Sequence, residues 1–130
     1  MTLLDSSVII DMVEGVETTV DGMERFDPPY LTSTICVYET LEGKLAGVGT
    51  DVVAARNDFS GVRSLDLTED IAREAARLQD RLLAEGERMA ARDVLIAATA
   101  RSTGDELVVA DADFETASLD DIMTVTNLAD

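Results

Sequence analysis

The feature that most constrains the fold is a carboxylate set between two short apolar runs at the start of the chain. Asp5 follows Leu3-Leu4 and precedes Val8-Ile9-Ile10. This pattern predicts a buried strand that runs into a helix, with Asp5 at the carboxyl end of the strand. Ligands of open α/β sheets bind at that edge. Asp5 alone could equally serve only as the N-cap of the helix, so both interpretations stay open here.

The same strand-then-helix pattern recurs along the chain, separated by breaks at Asp27-Pro28-Pro29 and at Gly47 and Gly49. It predicts one α/β domain over residues 1–130, with a parallel, doubly wound sheet. After the first pair, the predicted strands are Tyr30–Thr32, Val62–Leu67, Leu107–Ala110 and Ile122–Thr126. The predicted helices are 14–25, 35–45, 50–59, 71–83 and 91–100.

Composition narrows the class of protein. Hydrophobic residues make up 46% of the 130 residues but aromatic residues only 4%, so the core must be built from aliphatic side chains. No run reaches the roughly 20 apolar residues of a membrane span. Met1-Thr2 lacks the basic start of a signal peptide. We therefore expect a cytoplasmic protein without membrane contact. The single cysteine, Cys36, is expected to be buried, and without histidine the chain cannot assemble a soft-metal site.

The charge of the chain argues against a basic nucleic-acid-binding surface. Acidic residues number 27 and basic residues 10, which gives a formal net charge of −17. Nucleic-acid-binding proteins are normally basic. A dense acidic surface with one lysine, Lys44, suits a host that works in very high salt, where charge repulsion is screened. We therefore expect a halophilic source.

Four acids are predicted to share one edge of the sheet. Asp5 and Asp111 each follow a buried strand, and Glu39 and Asp93 lie on helices that should flank the same edge. Each acid alone has a structural explanation, and the helix dipole could simply stabilise Asp93 at the start of its helix. Together, however, buried carboxylates repel one another and persist only with a cation or raised pKa values. Oxygen ligands without His or Cys select Mg²⁺, or alternatively Mn²⁺.

Arginines at helical spacing, Arg73, Arg77 and Arg81, form one face of the predicted helix 71–83. They indicate either a solvated face or an RNA-facing patch, and the sequence does not decide between the two.

The order and spacing of four segments resemble the PIN domain ribonucleases, especially VapC-type toxins of toxin–antitoxin pairs. The segments are Leu4-Asp5-Ser6-Ser7, Thr34–Glu39, Arg92–Ala100 and Val109–Phe114. The resemblance covers essentially the whole chain and implies a parallel sheet of about five strands flanked by helices. Its acidic constellation corresponds to Asp5, Glu39, Asp93 and Asp111 of this chain. Asp113 could share or take the role of Asp111, because Val109-Ala110 stands where relatives often have Thr or Ser.

The resemblance implies a Mg²⁺-dependent endoribonuclease that hydrolyses RNA phosphodiesters through a metal-activated water. It also implies a homodimer and an antitoxin that inserts a basic side chain among the carboxylates. Arg92, Arg88 and Arg56 are candidate phosphate partners.

Two other functions are kept as alternatives. The chain could be a catalytically silent PIN-like binding module in a larger complex. It could also be a phosphohydrolase of the haloacid dehalogenase kind, but those proteins usually carry a second Asp two residues after the first, where this chain has Ser7.

Overall fold

The architecture is a parallel sheet with helices on both faces, in a computed structural model that describes residues 1–114 and 119–129. The strands are β1 (Thr2–Leu4), β2 (Tyr30–Ser33), β3 (Val62–Leu65), β4 (Glu106–Val109) and β5 (Val125–Asn127). The helices are α1 (Ser6–Glu14), α2 (Glu17–Met23), α3 (Thr34–Glu42), α4 (Val52–Asn57), α5 (Glu69–Ala84) and α6 (Ala91–Thr103). Within the described ranges, no helix is both long enough and apolar enough to cross a membrane.

Strand β1 lies at the centre of the sheet, whose order is β3-β2-β1-β4-β5. All four neighbouring pairs are parallel, and Thr2 is in register with Tyr30 on one side and Glu106 on the other. The chain leaves β1 toward β2 and β3 and later returns to its other side as β4. The carboxyl end of β1 is therefore the point where strand order reverses, which is where ligands of such sheets bind. The predicted α/β fold is confirmed.

The apolar runs of the strands supply two cores, one on each face of the sheet. Neighbouring residues of a strand point to opposite faces. Leu3 and Leu107 accordingly pack with α5 and α6, whereas Leu4 and Val108 pack with residues of α1. These strand residues are all fully buried. A strand that is buried on both faces explains why the sequence shows continuous apolar runs rather than alternation.

Several elements are shorter than predicted, for local reasons. Helix α1 ends at Glu14, because the following Gly15 has a φ of 72° that stops the helix. The helix predicted as 14–25 therefore begins only at Glu17. Helix α4 begins after Asp51, whose Oδ1 accepts hydrogen bonds from Val53 N and Ala54 N. In the predicted strand 122–126, the amide of Ile122 donates to Leu119 O in a turn, so β5 begins later.

Candidate active site

Asp5 lies at the carboxyl end of β1, and its two carboxylate oxygens bind different partners. Its Oδ2 caps α1, accepting hydrogen bonds from Ser7 N at 3.1 Å and Ser7 Oγ at 2.5 Å. Its Oδ1 accepts a hydrogen bond from Arg92 Nη2 at 2.8 Å. The side chain is only 2% exposed. Both interpretations of Asp5 therefore apply, because helix capping leaves one oxygen for the site.

Ser7 connects this carboxylate to the neighbouring strand. The backbone amide of Ala110, directly after β4, donates to Ser7 Oγ at 2.9 Å, and Ser7 Oγ in turn donates to Asp5. Ser7 was not among the predicted site residues. Its signals were its place two residues after Asp5, at the start of a helix, and its place in the Leu4-Asp5-Ser6-Ser7 segment. A hydroxyl from α1 thus supports the end of β4 next to the apolar Val109-Ala110 pair.

Arg92 gathers three of the predicted acids around one guanidinium. Its Nε donates to Glu39 Oε2 at 2.5 Å, its Nη1 to Asp93 Oδ1 at 2.6 Å and its Nη2 to Asp5 Oδ1 at 2.8 Å. Nη2 also contacts Glu39 Oε1 at 2.7 Å and Ser6 Oγ at 2.8 Å. Ser6 Oγ donates onward to Glu39 Oε1 at 3.1 Å. We call Asp5, Glu39, Asp93 and Arg92 the acidic cluster.

Three different elements bring the acidic cluster together. Asp5 directly follows β1, Glu39 lies on α3, which begins directly after β2, and Asp93 lies in the first turn of α6. Ser33 caps α3 by accepting from Ile35 N at 3.2 Å, which sets the start of the helix that carries Glu39. Asp93 is not a capping residue, because the N-cap position of α6 is Ala90.

The acidic cluster has more negative than positive charge. Three carboxylates face one guanidinium, which formally leaves two negative charges without a partner inside the cluster. Burial alone would lower the pKa of Arg92, but its hydrogen bonds with Glu39 and Asp93 and the charge of Asp5 raise that pKa well above its usual range. Arg92 therefore stays protonated, and it neutralises only one of the three formal negative charges that face it.

Asp111 and Asp113 lie at the same edge but outside the acidic cluster. Asp111 Oδ1 accepts from Asp113 N at 2.9 Å, and its backbone carbonyl accepts from Asn127 Nδ2 at 2.8 Å. Both side chains are exposed, and neither forms an ion pair with another described residue. Asn127, which ends β5, is a second supporting residue that was not predicted from the sequence.

Cys36 is buried and free, as predicted, and it lies against the acidic cluster. Its thiol donates to Asp5 Oδ1 at 4.0 Å. Burial, followed by the negative charge of Asp5, raises the pKa of the thiol to about 11. Cys36 is therefore a neutral thiol at physiological pH and no nucleophile.

The oxygen ligands of the acidic cluster suit a hard cation, but the guanidinium of Arg92 already binds them. Asp5, Glu39 and Asp93 offer only oxygen ligands, which is the preference of Mg²⁺ and Mn²⁺. All three share one guanidinium, so their oxygens already converge on a single positive group. Among the described residues, no three acidic side chains are at metal-binding spacing. We attribute this spacing to Arg92, because a guanidinium holds oxygens farther apart than an ion does.

The other candidate phosphate partners lie elsewhere. Arg56 donates to the carbonyls of Phe59 and Val62 at 2.8 and 2.7 Å, at the amino end of β3, which is the opposite edge of the sheet. The expectation that Arg56 lines the site is therefore wrong. Arg88 is exposed in the loop before α6.

Two of the three arginines on the face of α5 pair with acids of their own helix. Arg73 contacts Glu69 at 2.6 Å, and Arg77 contacts Glu74 at 3.2 Å. These pairs are typical of a solvated face and leave less positive charge for an RNA-facing patch.

Comparisons with known proteins agree with this architecture. The family model described as PIN domain matches residues 2–118. No curated protein sequence matches the chain. A toxin–antitoxin complex from Klebsiella pneumoniae contains a similar chain, with a TM-score of 0.80 and 21% identity, covering 100% of this chain and 99% of that one.

Two structures from Mycobacterium tuberculosis are also similar. The VapBC-5 toxin–antitoxin complex matches with a TM-score of 0.68 and 28% identity, covering 99% of this chain and 98% of that one. The sarcin-ricin loop cleaving toxin VapC20 matches with a TM-score of 0.63 and 19% identity, covering 87% and 92%. The family match spans most of the chain and agrees with the parallel sheet and the acids at its edge, and the chain belongs to the PIN domain family.

Proposed function

We propose that this chain is a metal-dependent endoribonuclease and the toxin of a type II toxin–antitoxin pair. The observation that carries the proposal is the convergence of Asp5, Glu39 and Asp93 at the switch point of the sheet, with an excess of negative charge. Membership of the PIN domain family and the similarity to VapC20, a toxin that cleaves the sarcin-ricin loop, support RNA as the substrate.

The residues that would hold Mg²⁺ or Mn²⁺ are Asp5, Glu39, Asp93 and Asp111, with Asp113 as the alternative to Asp111. The parallel pairing of β1 with β4 supports the fourth ligand, because both strands end at the same edge. When bound, the ion would lower the pKa of a water molecule and offset the charge of the phosphate.

The side chains of the acidic cluster have different tasks. Asp5 is held on both oxygens, which suits a fixed ligand. The side chains of Glu39 and Asp93 are 28% and 29% exposed, so substrate and water can reach them. Because the sequence contains no histidine, the chain has no imidazole to serve as general base. A carboxylate of the cluster would therefore accept the proton from the attacking water.

The proposed partner is a cognate antitoxin. Several similar chains come from complexes of toxin and antitoxin, including those from K. pneumoniae and M. tuberculosis. An antitoxin that inserts a basic side chain among the carboxylates would neutralise the charge that the RNA cleavage site needs. We also propose a homodimer, which light scattering at high salt would test, a monomer alone ruling it out.

The test is cleavage of total cellular RNA by purified protein with Mg²⁺ or Mn²⁺ at high salt. Asp5→Asn and Asp93→Asn remove one charge each from the acidic cluster. Asp70→Asn removes the same charge from an exposed position of α5 and serves as the matched control. We expect discrete cuts by the wild type and by Asp70→Asn that disappear with EDTA and in both cluster variants.

The competing function is a catalytically silent binding module. The spacing of the acids around Arg92, which is not that of a metal site, favours this alternative. Equal inactivity of the wild type and all three variants, with each folded by circular dichroism, would move the conclusion to the binding module. Cleavage that continues in EDTA would contradict the metal dependence.

A further inference from the structure

One positive side chain occupies the centre of the proposed metal site. Arg92 makes hydrogen bonds to Asp5, Ser6, Glu39 and Asp93, with all donor–acceptor distances between 2.5 and 2.8 Å. Each of the three carboxylates thus gives at least one oxygen to the guanidinium. The same oxygens are the ligands that a divalent ion would need.

Simultaneous occupation by Arg92 and an ion is unfavourable for two reasons. The ion and the guanidinium would compete for the same oxygens, and they would repel one another at short range in a partly buried site. Asp5 shows the competition most clearly. Its Oδ2 caps α1 through Ser7, which leaves Oδ1 as the oxygen free of the cap, and Arg92 takes it.

Arg92 can leave the acidic cluster without disturbing the core. It is the second residue of α6, where the helix starts, and its side chain is 33% exposed. The buried residues of α6 begin at Val94 and continue through Ala100. Moving the guanidinium into solvent therefore changes side-chain torsions and leaves the packed part of the helix in place.

We propose that Arg92 is an internal counter-ion of the acidic cluster that competes with the metal, so that metal loading requires Arg92 to move out. This inference rests on the metal site of the proposed function. Docking of Arg92 stabilises the metal-free protein by neutralising part of the repulsion among Asp5, Glu39 and Asp93. By linkage, it raises the apparent dissociation constant of the metal by the inverse of the fraction of molecules in which Arg92 is undocked.

The test measures Mn²⁺ binding to EDTA-stripped full-length protein by calorimetry at fixed ionic strength, without RNA. Arg92→Gln removes the charge but keeps a polar side chain. Arg101→Gln is the matched control, because Arg101 also lies on α6, pairs with Glu74 at 2.6 Å and is 36% exposed. Both variants change the net charge of the protein equally, so a general charge effect on Mn²⁺ binding cancels.

We expect Arg92→Gln to bind Mn²⁺ at least about tenfold more tightly than the wild type, the change expected if about one molecule in ten has Arg92 undocked. Arg101→Gln should stay within about twofold of the wild type. Thermal unfolding gives a second readout. In EDTA, Arg92→Gln should unfold at a lower temperature than the wild type, and saturating Mn²⁺ should raise its unfolding temperature by more.

Equal or weaker Mn²⁺ binding by Arg92→Gln would overturn the proposal and make Arg92 a residue that positions the acids for the ion. Absence of Mn²⁺ binding in both proteins would overturn it as well. The result is distinguishable from failure of the proposed function. Tighter Mn²⁺ binding in Arg92→Gln, combined with no RNA cleavage by the wild type, would support the competition between Arg92 and the metal and contradict the nuclease function.

Discussion

At the scale of single residues, short polar side chains hold the acidic carboxylates in place. Ser6 and Ser7 follow Asp5 directly, and each hydroxyl contacts a different acid, Glu39 and Asp5. Ser7 Oγ also accepts a hydrogen bond from the backbone amide of Ala110 at 2.9 Å. The carboxylates repel one another and would move apart if nothing held them. The two hydroxyls and Arg92 hold them and so determine the geometry of the site.

Ser7→Ala should destabilise the protein by about 1–2 kcal/mol, because the amide of Ala110 and the carboxylate of Asp5 each lose a partner. Urea unfolding in EDTA measures the change. Ser102→Ala is the control, since Ser102 is exposed and its hydroxyl donates a hydrogen bond to Thr99 O of the same helix. The control should change stability by less than about 0.5 kcal/mol. Equal losses in both variants would contradict the role of Ser7.

The thiol of Cys36 should make stability fall at high pH. Burial raises its pKa from 9.0 to about 11, so the unfolded chain loses this proton at lower pH than the folded protein does. The contribution to the free energy of unfolding is complete below pH 9 and decreases as pH rises toward about 11. Urea unfolding of Cys36→Ser against wild type across this range, in EDTA, measures it. The same pH slope in both proteins would contradict the assignment to Cys36.

At the scale of elements, the loop between α5 and α6 matters because it determines where α6 begins and therefore where Arg92 and Asp93 lie. Gln79 on α5 holds this loop with both ends of its side-chain amide. Its Nε2 donates to Met89 O at 2.7 Å, and its Oε1 accepts from Met89 N at 3.0 Å. Met89 itself is buried in the core, three residues before Arg92.

Gln79→Ala should lower the free energy of unfolding by about 1–3 kcal/mol, because both backbone groups of Met89 lose their partner. Hydrogen exchange at the amide of Met89 should become faster, and urea unfolding gives the stability. Asp80→Ala, at the exposed next position of α5, is the control and should leave Met89 exchange unchanged. Unchanged exchange in Gln79→Ala would contradict this role.

The central strands and the edge strand β3 could be predicted from the sequence, whereas the start of β5 and the contacts inside the site could not. Strands β1 and β4 are buried on both faces and produce continuous apolar runs such as Leu107–Val109. Strand β5 is only half-buried, so its residues carry a weak pattern and its predicted start was early. The position of Arg92 depends on side-chain contacts with Asp5 and Glu39, which lie 87 and 53 residues away, and no local pattern encodes them.

At the scale of the whole molecule, charge dominates. The net charge of −17 on 130 residues opposes the compact state through repulsion. Local pairs such as Arg73–Glu69 and Arg101–Glu74 offset only a few acids. Salt would therefore supply the screening that the chain lacks, which is the physical basis of the expected halophilic source.

Thermal unfolding followed by circular dichroism should show a large rise in stability between low and multimolar potassium chloride. The Debye length falls from about 10 Å at 0.1 M to about 3 Å at 1 M, so repulsion among surface acids is progressively screened. Sucrose at matched viscosity, which does not screen charge, should have a smaller effect. Full stability at low salt would contradict the halophilic interpretation.

The central position of β1 also decides when the site can exist during synthesis on the ribosome. Strand β1 can pair early with β2, but Thr2 also pairs with Glu106, and Ser7 accepts a hydrogen bond from the amide of Ala110. The first strand therefore gains its second neighbour only from residues made about a hundred positions later. Pairing of such remote segments is a late event in folding. A nascent chain that ends before β4 therefore has all of Asp5, Glu39 and Asp93 but no completed sheet edge to hold them. A chain of this design cannot complete the edge that holds these acids until β4 has been synthesised.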